Sequence, residues 1–288
     1  MPQTLLSRRL LLVLLLICGG LLEALAQTPA PLLKRTTTRR EVRKLGVAST
    51  VTLLGGPAGD ITIEGWNRPE IEIVADIEIT AASEDDLNRL AAIDNFVLDE
   101  GFTSIGIITT GAHDKEFVKS HVKGFPKRLI GATWRVDYKL KVPATTDLDI
   151  NGGRGAVTLR GVEGAITIKT LEGDADLTLT GGSVSAVIGR GTVNVKIGAR
   201  SWRGAGADIQ VANGNLNVTL PTAFNGDIDA SVLRTGKLEN AYDGLIPRER
   251  ATTTPTSLQG RSGTGGARLA FTVGDGALRV QGAAKKTP

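Results

Sequence analysis

Gly164–Gly182 reads GAITIKTLEGDADLTLTGG, and glycine recurs in it every nine residues, at Gly164, Gly173 and Gly182. The same spacing runs outward without a slip to Gly155 on one side and Gly191 on the other. Two residues after these glycines stand Val157, Ile166, Ala175, Val184 and Val193; four residues after stand Leu159, Ile168, Leu177, Ala186 and Val195. The intervening positions are mostly polar, among them Thr158, Arg160, Asp176, Thr178, Asn194 and Lys196, with Val187 an exception. Period-two alternation marks a strand with one buried face, and glycine permits the tight corner between two such strands. A nine-residue unit cannot bury its inward face alone, whereas a stack of units shares one core. Two strands per coil would give an eighteen-residue rung and three a twenty-seven-residue rung, and the spacing admits both. The expected fold is all-β: a β-solenoid-like stack of short strands with about nine-residue glycine-cornered repeats, most regular over 155–198, and one short α-helix near the N-terminal part.

Composition agrees. The 288 residues include 36 glycines but only six Phe and two Tyr, too few large aromatics to build a conventional core. Upstream, Val51 and Leu53, Ile61 and Ile63, then Ile71, Ile73 and Ala75 alternate between the turn signals Gly55-Gly56-Pro57 and Asn67-Arg68-Pro69. Ser83–Ile93 breaks this pattern. A capping serine followed by Glu84, Asp85 and Asp86 predicts a helix start, with Leu87, Leu90, Ala91 and Asp94 marking a short amphipathic helix. Strands resume at Phe96–Leu98 and Ile105–Thr109, and Trp134–Val142 alternates up to Pro143. Beyond Gly198 the phase loosens. Pro247–Arg268, rich in Thr, Ser and Gly, reads as a mobile loop, and Leu269–Val280 as a last strand pair that closes the end of the stack.

The first residues carry a positive n-region at Arg8 and Arg9, an apolar run from Leu10, and the small-x-small site Ala24-Leu25-Ala26. These are the parts of a secretory signal cleaved after Ala26. The uncharged run Leu10–Leu22 is thirteen residues, short of the roughly 20 a spanning helix needs. Cys18 is the lone cysteine, and Ile17 before it departs from the small residue that lipid attachment requires, so the mature chain has no thiol chemistry. The whole chain carries a net charge of +4, and losing Arg8, Arg9 and Glu23 lowers it by one. Such a mild excess permits attraction to anionic envelope polymers without demanding it. The expected organisation is a signal at 1–26, a linker and basic arm at 27–46, a β-repeat domain at 47–281 and a tail at 282–288. The basic arm Lys34–Lys44 reads as a solvated tail or an edge strand.

With the segments GDITIEGW, WRVDYKLKVP, DLDINGGRGAVTLRGVEGAITIKTLEG and LNVTLPTAFNGDIDA on the page, the chain resembles the bacterial "putative adhesin" β-strand-repeat domains, also described as toast-rack domains, over roughly Val47–Gln281. These glycine-based motifs specify architecture more than activity. The resemblance implies an exported or membrane-associated envelope protein with no established catalytic residues and a role in adhesion or envelope-stress sensing. The chain departs from the family pattern at Gly111–Gly131 and after Pro247.

Several constellations bear on chemistry. Calcium-binding β-rolls need converging turn aspartates, and among the five corners only Gly173-Asp174 carries one. The pairs Asp147/Asp149, Asp174/Asp176 and Asp227/Asp229 place two carboxylates on one side of a strand, as general acid–base catalysis requires, but such pairs also decorate solvated strands. His113 and His121, with Asp114 or Glu116, have no spacing that enforces metal ligation. Lys115, Lys119, His121, Lys123, Lys127 and Arg128, interleaved with Phe117 and Phe125, form the candidate binding segment for an anionic polymer; the alternative is a solvated loop anchored by its phenylalanines. The outward ladders Thr158/Arg160, Asp176/Thr178 and Asn194/Lys196 would stack if each coil has two strands. Neither a nucleophile elbow nor a phosphate-binding loop occurs. The functional expectation is an exported, non-enzymatic interaction or adhesion module with no cofactor or metal and an envelope polymer or protein as partner. Export argues against nucleic acid. An accessory of envelope-stress signalling is the alternative, and a polysaccharide-active enzyme the third reading.

Overall fold

The computed structural model describes residues 32–248 and 254–283, so the expected signal at 1–26 lies outside the described residues. Strands β1 (Leu33–Lys44), β2 (Thr50–Leu54), β3 (Ile61–Trp66) and β4 (Glu70–Ala81) precede helix α1 (Glu84–Ala91). Strands β5 (Asn95–Glu100) and β6 (Ser104–Thr110) lead into helix α2 (Lys115–His121) and a 3-10 turn at Lys127–Leu129. There follow β7 (Trp134–Pro143), β8 (Asp147–Arg154), β9 (Val157–Arg160), β10 (Ala165–Glu172), β11 (Ala175–Leu179), β12 (Gly181–Ile197) and β13 (Arg203–Leu220). The last are β14 (Gly226–Val232), β15 (Gly236–Ala241), β16 (Leu245–Pro247), β17 (Ser257–Ser262) and β18 (Arg268–Gly282). Among the described residues the protein is thus mostly β with two short helices, and eighteen strands form one curled, open sheet.

Two ladders run through that sheet. In the first, β6, β2, β8, β10 and the leading halves of β12, β13 and β18 pair in parallel, followed by β14. In the second, β7, β3, β9, β11 and the trailing halves of the same long strands pair in parallel, followed by β15. Partners in the regular part are eighteen residues apart, as in Leu148, Ile166 and Val184 or Val157, Ala175 and Val193. This is twice the glycine spacing, so successive glycines belong to alternate corners. The inward residues of each ladder line up into continuous apolar rows. Ile105, Val51, Leu148, Ile166, Val184, Ala207, Leu269 and Ile228 form one such row, and every member is buried.

The corners show why glycine is required. Gly173 and Gly191 sit at φ +145° and +149°, where L side chains are strained. A Cβ on Gly173 would lie 1.9 Å from the carbonyl oxygen of Gly155, and one on Gly191 would lie 2.1 Å from that of Gly173. The backbones of adjacent corners are in direct contact, and no side chain fits between them.

Lys34–Lys44, read as a solvated tail or an edge strand, is the edge strand: it lies in β1 and pairs antiparallel with β4 from Leu33 to Lys44. Three expectations are corrected. The single expected helix has a companion: α2 forms because Asp114 caps it, accepting bonds from Glu116 N (3.0 Å) and Phe117 N (2.9 Å). Within the expected loop Pro247–Arg268, β17 pairs antiparallel with β14. It turns Leu258, Gly260 and Ser262 inward, and with glycine and serine at two of the three positions little apolar alternation is left to read. The last strand pair is a single bent strand, β18, and it lies between β13 and β14/β15 rather than at the end.

Candidate functional site

The Gly111–Gly131 segment is tied to the rest of the fold at three points. Asp94 Oδ1 accepts from Ala112 N at 2.7 Å. Trp134 Nε1 donates to His113 Nδ1 at 3.0 Å. Arg128 donates to the buried Asp86 of α1 at 2.5 Å. Val118 and Leu129 are buried, and Phe117 and Phe125 pack partly against the core. Helix α1 opposite is capped as its sequence predicts, with Ser83 Oγ accepting from Asp86 N at 3.2 Å and Leu87 and Leu90 buried.

This tethering divides the candidate residues. Arg128 is held by Asp86, and Lys119 pairs with Glu116 one turn earlier at 2.9 Å. Lys115, Lys123 and Lys127 are exposed and have no carboxylate partner among the described residues. His121 stacks on Phe117 with ring centres 5.0 Å apart, and its Nδ1 lies 2.8 Å from Ser120 Oγ. Lys115 and Lys119, four residues apart on a helix, share a face. His113 is half-buried, and burial lowers its pKa, opposed by Asp114. With its Nδ1 accepting from Trp134, its role is to fix the segment's root. Among the described residues no group of three or more His, Cys, Asp or Glu could hold a metal ion.

The paired carboxylates have structural work. Asp147 Oδ1 accepts from Ala165 N and Asp174 Oδ1 from Thr192 N, each at 2.7 Å and each eighteen residues ahead. Asp60 Oδ1 accepts from Ala156 N at 2.8 Å in the same manner. Each corner aspartate thus satisfies an amide of the next rung that the ladder leaves open. Asp227 binds Arg261 at 2.8 Å, and Asp229 binds Arg268 at 2.6 Å and Arg248. Asp176 accepts from Asn194 Nδ2 at 2.9 Å. The outward pairs stack in register, Thr158 beside Asp176 beside Asn194, and Arg160 beside Thr178 beside Lys196.

Arg35, Arg39 and Arg43 of β1 went unread in the sequence. Spaced by four on a strand, they point to one side, and that side faces inward. Arg39 donates to Phe96 O at 2.6 Å and Asn95 Oδ1 at 3.1 Å, and it lies 4.1 Å over the Phe96 ring. Arg35 reaches Glu84 and Asn88 of α1, and Arg43 reaches Glu100. The spacing was there to find, but a basic strand pattern resembles a solvated arm until its partner elements are placed.

No family model matches the chain, and no curated protein is similar to it. Among solved structures, it is similar to a putative cell adhesion protein from Clostridium sporogenes, at 12% identity over 86% of this chain and 100% of that one, with a TM-score of 0.43. It is also similar to a putative adhesin from Bacteroides fragilis, at 11% identity over 88% and 99% of the two chains, with a TM-score of 0.30. A third, described as a putative lipid binding protein from Parabacteroides distasonis, shares 10% identity over 86% and 97%, with a TM-score of 0.23. No helix among the described residues is long and apolar enough to cross a membrane.

Proposed function

We propose that the protein is an exported interaction module of the bacterial envelope, of adhesion type and without catalytic chemistry. The observation that carries this reading is the tethered segment Gly111–Gly131, a basic excursion fixed to the rest of the fold by Asp94, Asp86 and Trp134 while Lys115, Lys123 and Lys127 stay exposed. A charged surface held in place loses little conformational entropy when it meets an anionic polymer. The engagement of Asp147, Asp174, Asp227 and Asp229 in backbone and arginine bonds favours this reading over a hydrolase or lyase. On this reading the eighteen-residue pairings are coils of a β-solenoid-like stack, residues 1–26 are a cleaved signal, and the repeat domain takes in β1 from Leu33.

The test is binding of the purified protein to envelope fractions and anionic glycans at low and high salt, beside a variant with Lys115, Lys119, Lys123 and Lys127 changed to Ser. Binding that weakens with salt, as screening over about 10 Å at 0.1 M requires, and is lost in the variant is the expected result. Equal binding by both proteins would reject the segment as the contact. Binding to no fraction would reject the adhesion reading in favour of a specific protein partner, as in envelope-stress signalling.

A further inference from the structure

The second ladder carries another surface. Its outward side holds two parallel rows of polar residues. One runs Thr158, Asp176, Asn194, Asn217, Arg279 and Glu239; the other runs Arg160, Thr178, Lys196, Thr219 and Gln281. At the β4 end of this face, charges are matched across strands: Arg160 with Glu64 (3.1 Å), Lys139 with Asp76 (2.9 Å), and Glu72 with both Lys141 (3.6 Å) and Arg40. Between this end and β18, where Arg279 pairs with Glu239 (2.7 Å), the matching is interrupted. Lys196 has no carboxylate partner among the described residues, and its neighbours in the row are Thr178 and Thr219. A shallow groove of about 420 Å³ opens there, lined by Asn194, Lys196, Asn217, Thr219, Arg279 and Gln281.

Within the groove the amides are aligned by one another. Asn217 Nδ2 donates to Asn194 Oδ1, and Asn194 Nδ2 donates to Asp176 Oδ1, both at 2.9 Å. Each amide has two N–H donors and its oxygen two lone pairs, so the ladder uses one donor per side chain and leaves the others facing out. Arg279 is oriented by Glu239, whose carboxylate is held down to about 2 by Lys237 and Arg279. Neighbouring strands stand about 4.8 Å apart, so the rows present fixed donors and acceptors along a line. The rows hold no aromatic residue at this end, which leaves nucleobases without a stacking platform.

We propose that this groove binds an extended, hydroxyl-rich anionic chain, a polysaccharide segment bearing carboxylate or phosphate groups. The chain's hydroxyls exchange hydrogen bonds with Asn194, Asn217, Thr219 and Gln281, and one anionic group reaches Lys196. The inference goes beyond the interaction reading by assigning it a second surface and a ligand chemistry. Its test is calorimetric titration of the full chain, at low ionic strength, with a hexameric uronate, a glycerol-phosphate oligomer and the neutral maltohexaose. At least one anionic oligomer is expected to bind about tenfold or more tightly than maltohexaose, and the oligomer that does so identifies the anion. Lys196→Gln and Asn217→Ala are each expected to weaken that binding by about fivefold to tenfold, with unchanged melting temperatures. Arg160→Gln, at the matched end of the same row, is expected to leave it within about twofold. Binding of neither anionic oligomer, equal binding of the neutral one, or full affinity in Lys196→Gln would overturn the proposal. Loss confined to the variant of Lys115, Lys119, Lys123 and Lys127 would overturn it too, while leaving the basic segment as the contact.

Discussion

A corner glycine is the residue on which each rung depends. Gly191 combines a φ of +149° with a Cβ direction that ends 2.1 Å from the carbonyl of Gly173. Gly191→Ala adds a clash with backbone to the left-handed penalty, and we expect a loss of about 3 kcal/mol or more in urea unfolding. Gly124, at φ +70° with open space around its Cβ direction, carries the conformational penalty alone. Gly124→Ala should therefore cost only about 1 kcal/mol. Asp94 gives a prediction of another kind. It is buried, its Oδ2 has no partner among the described residues, and burial pushes its carboxyl up to about 7 against the single bond from Ala112. The folded protein thus keeps a proton there that the unfolded chain releases near pH 4. The associated stability is complete below pH 4 and is lost as pH rises through 7. Asp94→Asn should gain on the wild type by roughly 2 to 3 kcal/mol between pH 5 and pH 8 in paired urea melts. A constant difference would reject the shifted carboxyl.

At the scale of elements, the open end of the sheet is managed with charge. Among the described residues, strand β1 pairs on one side only, with β4, and β5 likewise pairs only with β6. Free edges invite further strands unless they are blocked. On β5 the outward amide of Phe96 is taken by its neighbour Asn95 Oδ1 at 2.8 Å, and its carbonyl by Arg39. Arg39→Ala leaves that carbonyl and the face of the ring uncovered, and about 2 kcal/mol should be lost. Hydrogen exchange at β5 should rise with it. Lysine offers one point charge where the guanidinium bonds Phe96 O, Asn95 and Glu41 and stacks, so Arg39→Lys should recover less than half. Full recovery by lysine would reduce the role of Arg39 to charge alone.

For the whole molecule, the relevant fact is that each rung touches its neighbours and little else. The segments Ile166–Leu179 and Val184–Ile197 are flanked by rungs on both sides, whereas β15 and β16 lie at a margin. On the proposed solenoid reading, stability is a sum over such neighbours, and opening free energies grade from the ends inward. Backbone amides of the central segments should exchange about a hundredfold more slowly than those of β15 and β16. Uniform protection would mean that the sheet opens as one unit.

The sequence by itself determined the strands from Val51 to Val195, their inward faces and their glycine corners, because period-two burial and backbone-to-backbone corners restrict residue choice locally. It determined α1 for the same reason, since Ser83 and three successive acids act within one helical turn. It pointed to the basic segment as a surface but left open which of its charges are spent. Only the tertiary structure decided that Arg128 belongs to Asp86. Only pairing at eighteen residues turned Asp147 and Asp174 from candidate acids into caps of the next rung. The order of strands beyond Gly198, with β18 inserted between β13 and β14, was likewise illegible. Contacts between residues 40 to 60 positions apart depend on how one core closes around all the rungs, and no local pattern encodes that.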